Sequence, residues 1–406
     1  MKKIAVVATS YRTNSHADVI VTKFLTGYPT DEGLVQPKVT IASMYFDQPE
    51  DSELGRKIAD KFGVAVYPTI REALTLGGQE LAVDGVIYAG VHGQYPHSRL
   101  GVTMVPQLNH LDQVFRVLDA SKRAVPVYCD RELGYSWLDS KWIYDRAQEL
   151  GAPMMAGSSL PLAWTKVPFE QVLGRPVAEA ISIGHGPLLG YGFHAMEALQ
   201  CMLERRRGGE TGVTAVQALQ GPAVYEAAEA GLFSMELAEA GCSACSQKKP
   251  GTMREHDKAP QSLLIHYTDG TRGAVVMAGH YVGECWSYAA SMDGETIVAE
   301  FVLHNNVPYS HFSYLDLNIE RMFLTGKPQL PLERTLLTSG LLDAAARSLH
   351  AGGKLIETPH LNVCYQPYDF EPLRPTSPAP TGASIGPWPP AGVELPLVAP
   401  RARKTG

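Results

Sequence analysis

What this chain lacks excludes several classes of protein. No uninterrupted apolar run approaches the roughly 18 residues that a membrane-spanning helix needs. The apolar run after Met1-Lys2-Lys3 stops at Ala8, too short for the core of a signal peptide. Basic residues are not in excess: 35 Lys and Arg face 42 Asp and Glu, so no electrostatic footprint for nucleic acid or an anionic membrane exists. Cysteine is scarce, six in 406 residues, which predicts reduced thiols in a cytoplasmic protein rather than a disulfide scaffold. Cys242 and Cys245 form one C-x-x-C with no second pair to complete a zinc site, and read as two unrelated thiols. No H-E-x-x-H, G-x-S-x-G or Walker sequence is present, and no metal site is expected.

The most telling absence lies in the opening segment, where an apolar strand, Ile4–Ala8, runs through a turn into a helix. Such a strand–turn–helix normally carries G-x-G-x-x-G when it binds a dinucleotide, because only glycine lets the backbone approach the pyrophosphate. Ala8, Ser10 and Thr13 stand at the three positions. Thr9, Ser10, Tyr11, Arg12 and Thr13 could still hold a phosphate through hydroxyls, helix-terminal N–H groups and a guanidinium; an ordinary βα turn is the plain alternative.

Four further strand patterns follow, Val39–Met44, Gly85–Ala89, Val125–Cys129 and Pro153–Gly157, with helical patterns between them at His16–Leu25, Leu54–Phe62, Leu108–Leu118 and Ser140–Leu150. Continuous apolar strands alternating with helices predict a Rossmann-like, doubly wound parallel sheet over residues 1–157. From there the pattern changes. Strands at Gln261–Tyr267, Arg272–Gly279 and Thr296–Leu303, with helices at Phe193–Arg206 and Leu332–His350, predict an α+β domain over 158–370 with an open, mainly antiparallel sheet. Residues 371–406 form a proline-rich tail, a strap or a loose end.

Ligands of parallel sheets sit beyond the carboxyl ends of the strands, and the residues there are the site candidates. Asp47 after the second strand is a ribose-hydroxyl acceptor or a solvated loop carboxylate. The third strand leads into Gly90-Val91-His92-Gly93-Gln94-Tyr95-Pro96-His97; Gly90 is a cofactor contact, His92 a proton-transfer group, and Tyr95 and His97 substrate contacts. The fourth ends in Cys129-Asp130-Arg131-Glu132, where Asp130 and Arg131 face the cleft or form an ion-paired loop, and Cys129 reads as core. His185, Tyr191 and His194 lie in a glycine-rich helix entry, residues 184–194. His194 and Glu197 share a helix face, without further metal ligands nearby.

In segment order the chain resembles the glucose–fructose oxidoreductase / inositol dehydrogenase (Gfo/Idh/MocA) family over roughly residues 3–350. The resemblance rests on His16, where the family has G-x-G-x-x-G-x-x-H; on Val83-Asp84-Gly85-Val86-Ile87-Tyr88-Ala89, like the third-strand signature; on Val127-Tyr128-Cys129-Asp130-Arg131-Glu132, at the family's Glu-Lys-Pro; and on Gly186 to His194, similar to its G-x-L-x-D-x-G-x-H. It implies an oxidoreductase that exchanges hydride between NAD(P) and a hydroxyl or carbonyl of a sugar or cyclitol. The same resemblance implies a homo-oligomer paired through the face of the second sheet. His194 carries the family's proton-transfer role, with Tyr191 beside it as a substitute. The departures are systematic: the lysine is Arg131, which stays charged and can orient substrate but not shuttle a proton, and the family's Asp is Gly190. They leave two alternatives, a redox-neutral lyase, isomerase or hydrolase on the same scaffold, or a non-catalytic ligand-binding subunit.

Overall fold

The computed structural model describes residues 1–166 and 173–367, with 373–375, 386, 389 and 392–396 of the tail. Six parallel strands form the first sheet: β1 (Lys2–Ala8), β2 (Val39–Phe46), β3 (Ala65–Val66), β4 (Gly85–Ala89), β5 (Val127–Asp130) and β6 (Met154–Gly157). Their order is β3-β2-β1-β4-β5-β6. The winding direction reverses between β1 and β4, where Ile4 pairs with Gly85 and Ala8 with Ala89; a ligand crevice opens at such a reversal. Helices cover both faces, which is why Ile4 to Ala8 are apolar without alternation and wholly buried.

The first of these helices, α1 (His16–Thr26), starts at Ser15, whose Oγ accepts from Asp18 N. A second sheet follows, made of β7 (Trp164–Thr165), β8 (Glu179–Gly184), β9 (Val213–Gln220), β10 (Gln261–Tyr267), β11 (Arg272–Met277), β12 (Trp286–Met292), β13 (Glu295–Val302) and β14 (Ile356–Glu357). It runs β14-β9-β10-β11-β8-β12-β13-β7, antiparallel except where β8 pairs with β11. Both predicted sheets are present, one parallel and one mainly antiparallel.

Helix α2 (Leu188–Leu203) lies on one face of the second sheet. The other face is covered by α3 (Pro222–Glu229) and α4 (Met235–Ala244), whose Val224, Leu237 and Cys242 pack on Ile181, Ile183 and Ala289. The face through which the resemblance implies pairing is therefore occupied by the chain's own helices. Helix α5 (His311–Thr325), although late in the chain, packs on the first sheet: Phe312, Leu315, Ile319 and Phe323 share a cluster with Ile4 and Ile20. Helix α6 (Leu332–His350) joins the two halves, with Leu332 and Leu336 in a cluster of the first sheet and Leu337 and Leu341 in a cluster of the second. Its buried Arg334 donates from Nε to Glu204 Oε2 at 2.8 Å.

Two expectations change. Cys245 forms a disulfide with Cys285, 40 residues away and with Cα atoms 5.8 Å apart, which corrects the reading of uniformly free thiols and weakens the compartment argument built on it. The C-x-x-C spacing hid this because the partner, Cys285, immediately precedes β12 and lies outside the motif. At Leu373 the proline-rich segment is fixed to α5: Asn318 Nδ2 donates to Leu373 O at 2.8 Å, and Leu373 N donates to Asn318 Oδ1 at 3.0 Å. The rest of the strap-or-loose-end reading falls mostly outside the described residues. No described helix is long and apolar enough to cross a membrane.

Candidate active site

A cavity of about 310 Å³ lies beyond the carboxyl ends of β1 and β6, between the first sheet, α2 and β12. Five histidines line it: His16, His92, His185, His194 and His311. Each arrives by a different route. His16 opens α1, His92 follows β4, His185 follows β8, His194 lies in the second turn of α2, and His311 opens α5.

Two of them are held by defined partners. The Nδ1 of His16 lies 2.8 Å from Asp130 Oδ2, and the carboxylate is 1% exposed. A carboxylate only accepts, so Nδ1 is the donor in this contact, and Asp130 leaves the ring's Nε2 unengaged. The Nδ1 of His194 shares a 2.7 Å hydrogen bond with Ser158 Oγ, which also accepts from Leu160 N at 3.1 Å. Burial, reinforced by the positive charge of Arg131, drives the His194 imidazole well below its ordinary pKa, so it is neutral at pH 7.

A third, His92, is neutral for the same reason, burial first and then neighbouring cations. Its Nδ1 accepts from His16 N at 3.3 Å, at the tip of α1. Trp286 forms an aromatic wall 4.7 Å from the ring of His185 and 5.8 Å from that of His194. Tyr191, half exposed, stands 5.3 Å from His185.

Behind Ser158 lies Glu197, fully buried, whose Oε1 accepts from Thr338 Oγ1 at 2.7 Å. Burial pushes its carboxyl up to about 7. Glu197 is tucked against Gly157, whose φ of +123° no other residue would adopt easily; a Cβ there would lie 2.7 Å from Glu197 Oε2.

The remaining candidates lie outside the cavity. Arg131 turns away: its guanidinium donates to Gly190 O at 2.9 Å and its Nε lies 3.1 Å from Glu132 Oε2. Tyr95 donates to Asp47 Oδ2 at 2.6 Å, and Asp47 Oδ1 also faces His110 Nε2 at 3.2 Å; hydrogen bonding to His110 holds the Asp47 carboxyl below its usual range. His97 is exposed and pairs with Thr103. Tyr11 is a core residue, its ring edge-on to Phe46 and its hydroxyl 2.6 Å from Thr22. Thr9 and Ser10 are buried, and Thr9 Oγ1 donates to His92 O. Arg12 and Thr13 are exposed, with Arg12 near Asp51. Gly90 is buried against Tyr88. Asp130 contributes by orienting His16.

These contacts decide whether the strand ends fit a dinucleotide. Pyrophosphate needs free N–H groups at the tip of α1 and bare backbone beside them. Here the N–H of His16 donates to His92, that of Asp18 to Ser15, and that of Asn14 to Asp18 Oδ2 at 2.9 Å. The ribose acceptor Asp47 is taken by Tyr95 and His110. The next residue, Gln48, is engaged by the loop after β4, accepting from Gln94 N at 2.9 Å and donating to Gln94 O at 3.1 Å. The residues present do not fit NAD(P).

In three dimensions the molecule joins a Rossmann-type sheet to an α+β domain, with a cavity between them. No sequence-family profile and no curated protein matches the chain. Solved structures do. GenD2 from gentamicin A biosynthesis, in complex with NAD, is 18% identical with a TM-score of 0.55, over 88% of this chain and 96% of that one. A probable dehydrogenase from Thermotoga maritima is 14% identical (TM-score 0.54; 88% and 99% covered). A myo-inositol dehydrogenase from Corynebacterium glutamicum is 12% identical (TM-score 0.53; 88% and 98% covered). The resemblance to Gfo/Idh/MocA-type dehydrogenases thus holds at the level of the fold, as for a divergent relative.

Proposed function

We propose that this chain is an enzyme on the Gfo/Idh/MocA scaffold that performs redox-neutral acid–base chemistry on a small, uncharged, polyhydroxylated molecule of sugar or cyclitol type. The observation that carries the reading is the pair of histidines at one cavity, each with its Nδ1 held, His16 by Asp130 and His194 by Ser158. His16 Nε2 is the base that removes a proton from a carbon next to a carbonyl. His194 exchanges the proton of the neighbouring oxygen, and as a neutral imidazole it can act in either direction. Asp130 stabilises the imidazolium formed on His16, and Ser158 fixes the ring of His194; both are positioning residues. Among the described residues no lysine or arginine lines the cavity, and its hydrogen-bonding groups stand beside Trp286, a lining suited to hydroxyls and the apolar face of a sugar ring. An isomerase or a lyase is the reaction class that uses these parts.

The likeness to an NAD-bound protein favours a second reading, an oxidoreductase on a hydroxyl or carbonyl of the same substrate class. Bound NAD(P) would there supply hydride exchange, and the strand-end loops would first have to open.

One experiment separates the two. The protein is incubated in D2O with a panel of sugars and keto-sugars and followed by NMR, and NAD+, NADH, NADP+ and NADPH are titrated by calorimetry. Deuterium entering a carbon position without any nicotinamide, abolished in His16→Ala and in His194→Ala, is the expected result. Nicotinamide binding with no exchange in its absence would overturn it in favour of the dehydrogenase.

A further inference from the structure

A second cavity, about 620 Å³, opens beside the first. His185 and Glu284 line both, so the two share a wall. Gly186 and Gly279, which line the second cavity, lie directly beside His185. Gly186 has a φ of +76°, and a Cβ on Gly279 would lie 3.2 Å from His185 Cβ and 3.3 Å from Gly186 N. The residues common to both cavities, His185 and Glu284, form the boundary between them.

The far side of the second cavity is polar and ordered. Asp257 is 2% exposed; its Oδ1 accepts from Ala259 N at 3.1 Å and lies 3.2 Å from His280 Nδ1, and its Oδ2 accepts from His280 N at 3.3 Å. Gln261 Oε1 accepts from Leu188 N at 2.7 Å, which fixes the amide and leaves its NH2 group as a donor. Neither lysine nor arginine is among the described lining residues, whereas two carboxylates are, those of Asp257 and Glu284. Phosphate and carboxylate groups are repelled there; neutral hydroxyls, which donate to carboxylates and accept from amide and imidazole N–H, are matched.

The first cavity, near the lower end of the ligand-pocket range of about 300–1,000 Å³, holds one ring. We propose that the second cavity is a subsite for a further sugar ring, so that the substrate is a glycoside of at least two rings with the reacting ring in the histidine-lined cavity. This rests on the acid–base reading of the first cavity and extends it to substrate length.

Calorimetric titration with D-glucose, cellobiose and maltose tests it. At least one disaccharide should bind tenfold or more tightly than glucose. His280→Trp fills the second cavity from a side chain that is 74% exposed, and should bring that disaccharide to the affinity of glucose while glucose itself is unaffected; Asp257→Asn should do the same. Equal affinity for one and two rings, or a disaccharide preference that survives both variants, overturns the subsite and leaves the first cavity's reading standing. Binding of none of the three overturns both.

Discussion

Replacing Glu197 by glutamine isolates the energetic cost of the carboxyl behind the active cavity. Its neighbours Thr338, Thr335 and Gly157 exclude water, and burial raises the carboxyl from an ordinary 4.5 to about 7. A folded-state pKa above the unfolded one means that the native protein holds the proton more tightly, so this group favours folding fully below pH 4.5 and loses that contribution as pH rises through 7. At about 1.36 kcal/mol per tenfold difference in proton affinity, the whole change is about 3 kcal/mol, of which about 2.5 kcal/mol falls between pH 5 and pH 8. Glutamine stays neutral throughout and lacks this component. Urea unfolding of both proteins at pH 5 and pH 8 should show the variant gaining about 2.5 kcal/mol on the wild type across that interval. Other titrating groups are common to both proteins and drop out of the difference. Parallel pH dependences would refute the assignment of a buried, half-protonated carboxyl behind Ser158.

Two further expectations concern the same region. Gly157→Ala combines a φ of +123° with a Cβ 2.7 Å from Glu197 Oε2 and 2.9 Å from Thr335 Oγ1. It should cost about 4 kcal/mol in urea unfolding, and a loss under about 1 kcal/mol would show that the junction can relax. Asp130→Asn keeps the size of the side chain but removes the negative charge beside His16 Nδ1. It should slow deuterium exchange at the substrate carbon by about 100-fold or more with unchanged circular dichroism; wild-type exchange rates in this variant would remove Asp130 from the mechanism.

Much of the first sheet is legible in the sequence, because strands buried on both faces read as apolar runs bounded by turns; Gly85–Ala89 is predicted to the residue. Gln261–Tyr267 and Leu332–His350 are equally clear. Val213–Gln220 is not, since its alanines and glutamines carry little strand signal. Helix α5 escapes for another reason: it buries Asp316, Asn318 and Glu320 along with its apolar residues, which blurs the amphipathic pattern.

The site divides in the same way. His92, His185, Tyr191 and His194 stand out as polar groups at a strand end or helix entry, and the fold brings them to one cavity. His16 and Ser158 acquire their roles only through partners 114 and 36 residues away, a relation no local spacing encodes. The available signal was positional: His16 opens the first helix, and Ser158 immediately follows the last strand of the parallel sheet. Tyr95 and Asp47, each plausible alone, turn out to engage each other.

The helices over the outer face of the second sheet have a consequence for how this protein's stability scales. Val224, Leu237 and Cys242 cover Ile181, Ile183 and Ala289 from within the same chain, so the apolar cover is present at a fixed ratio of one to one whatever the dilution. A face sealed by a second molecule would weaken as the protein is diluted; a tethered one does not. Residues 222–244 therefore behave as a permanently attached subunit, and a chain shortened across them would expose a broad apolar surface prone to indiscriminate association.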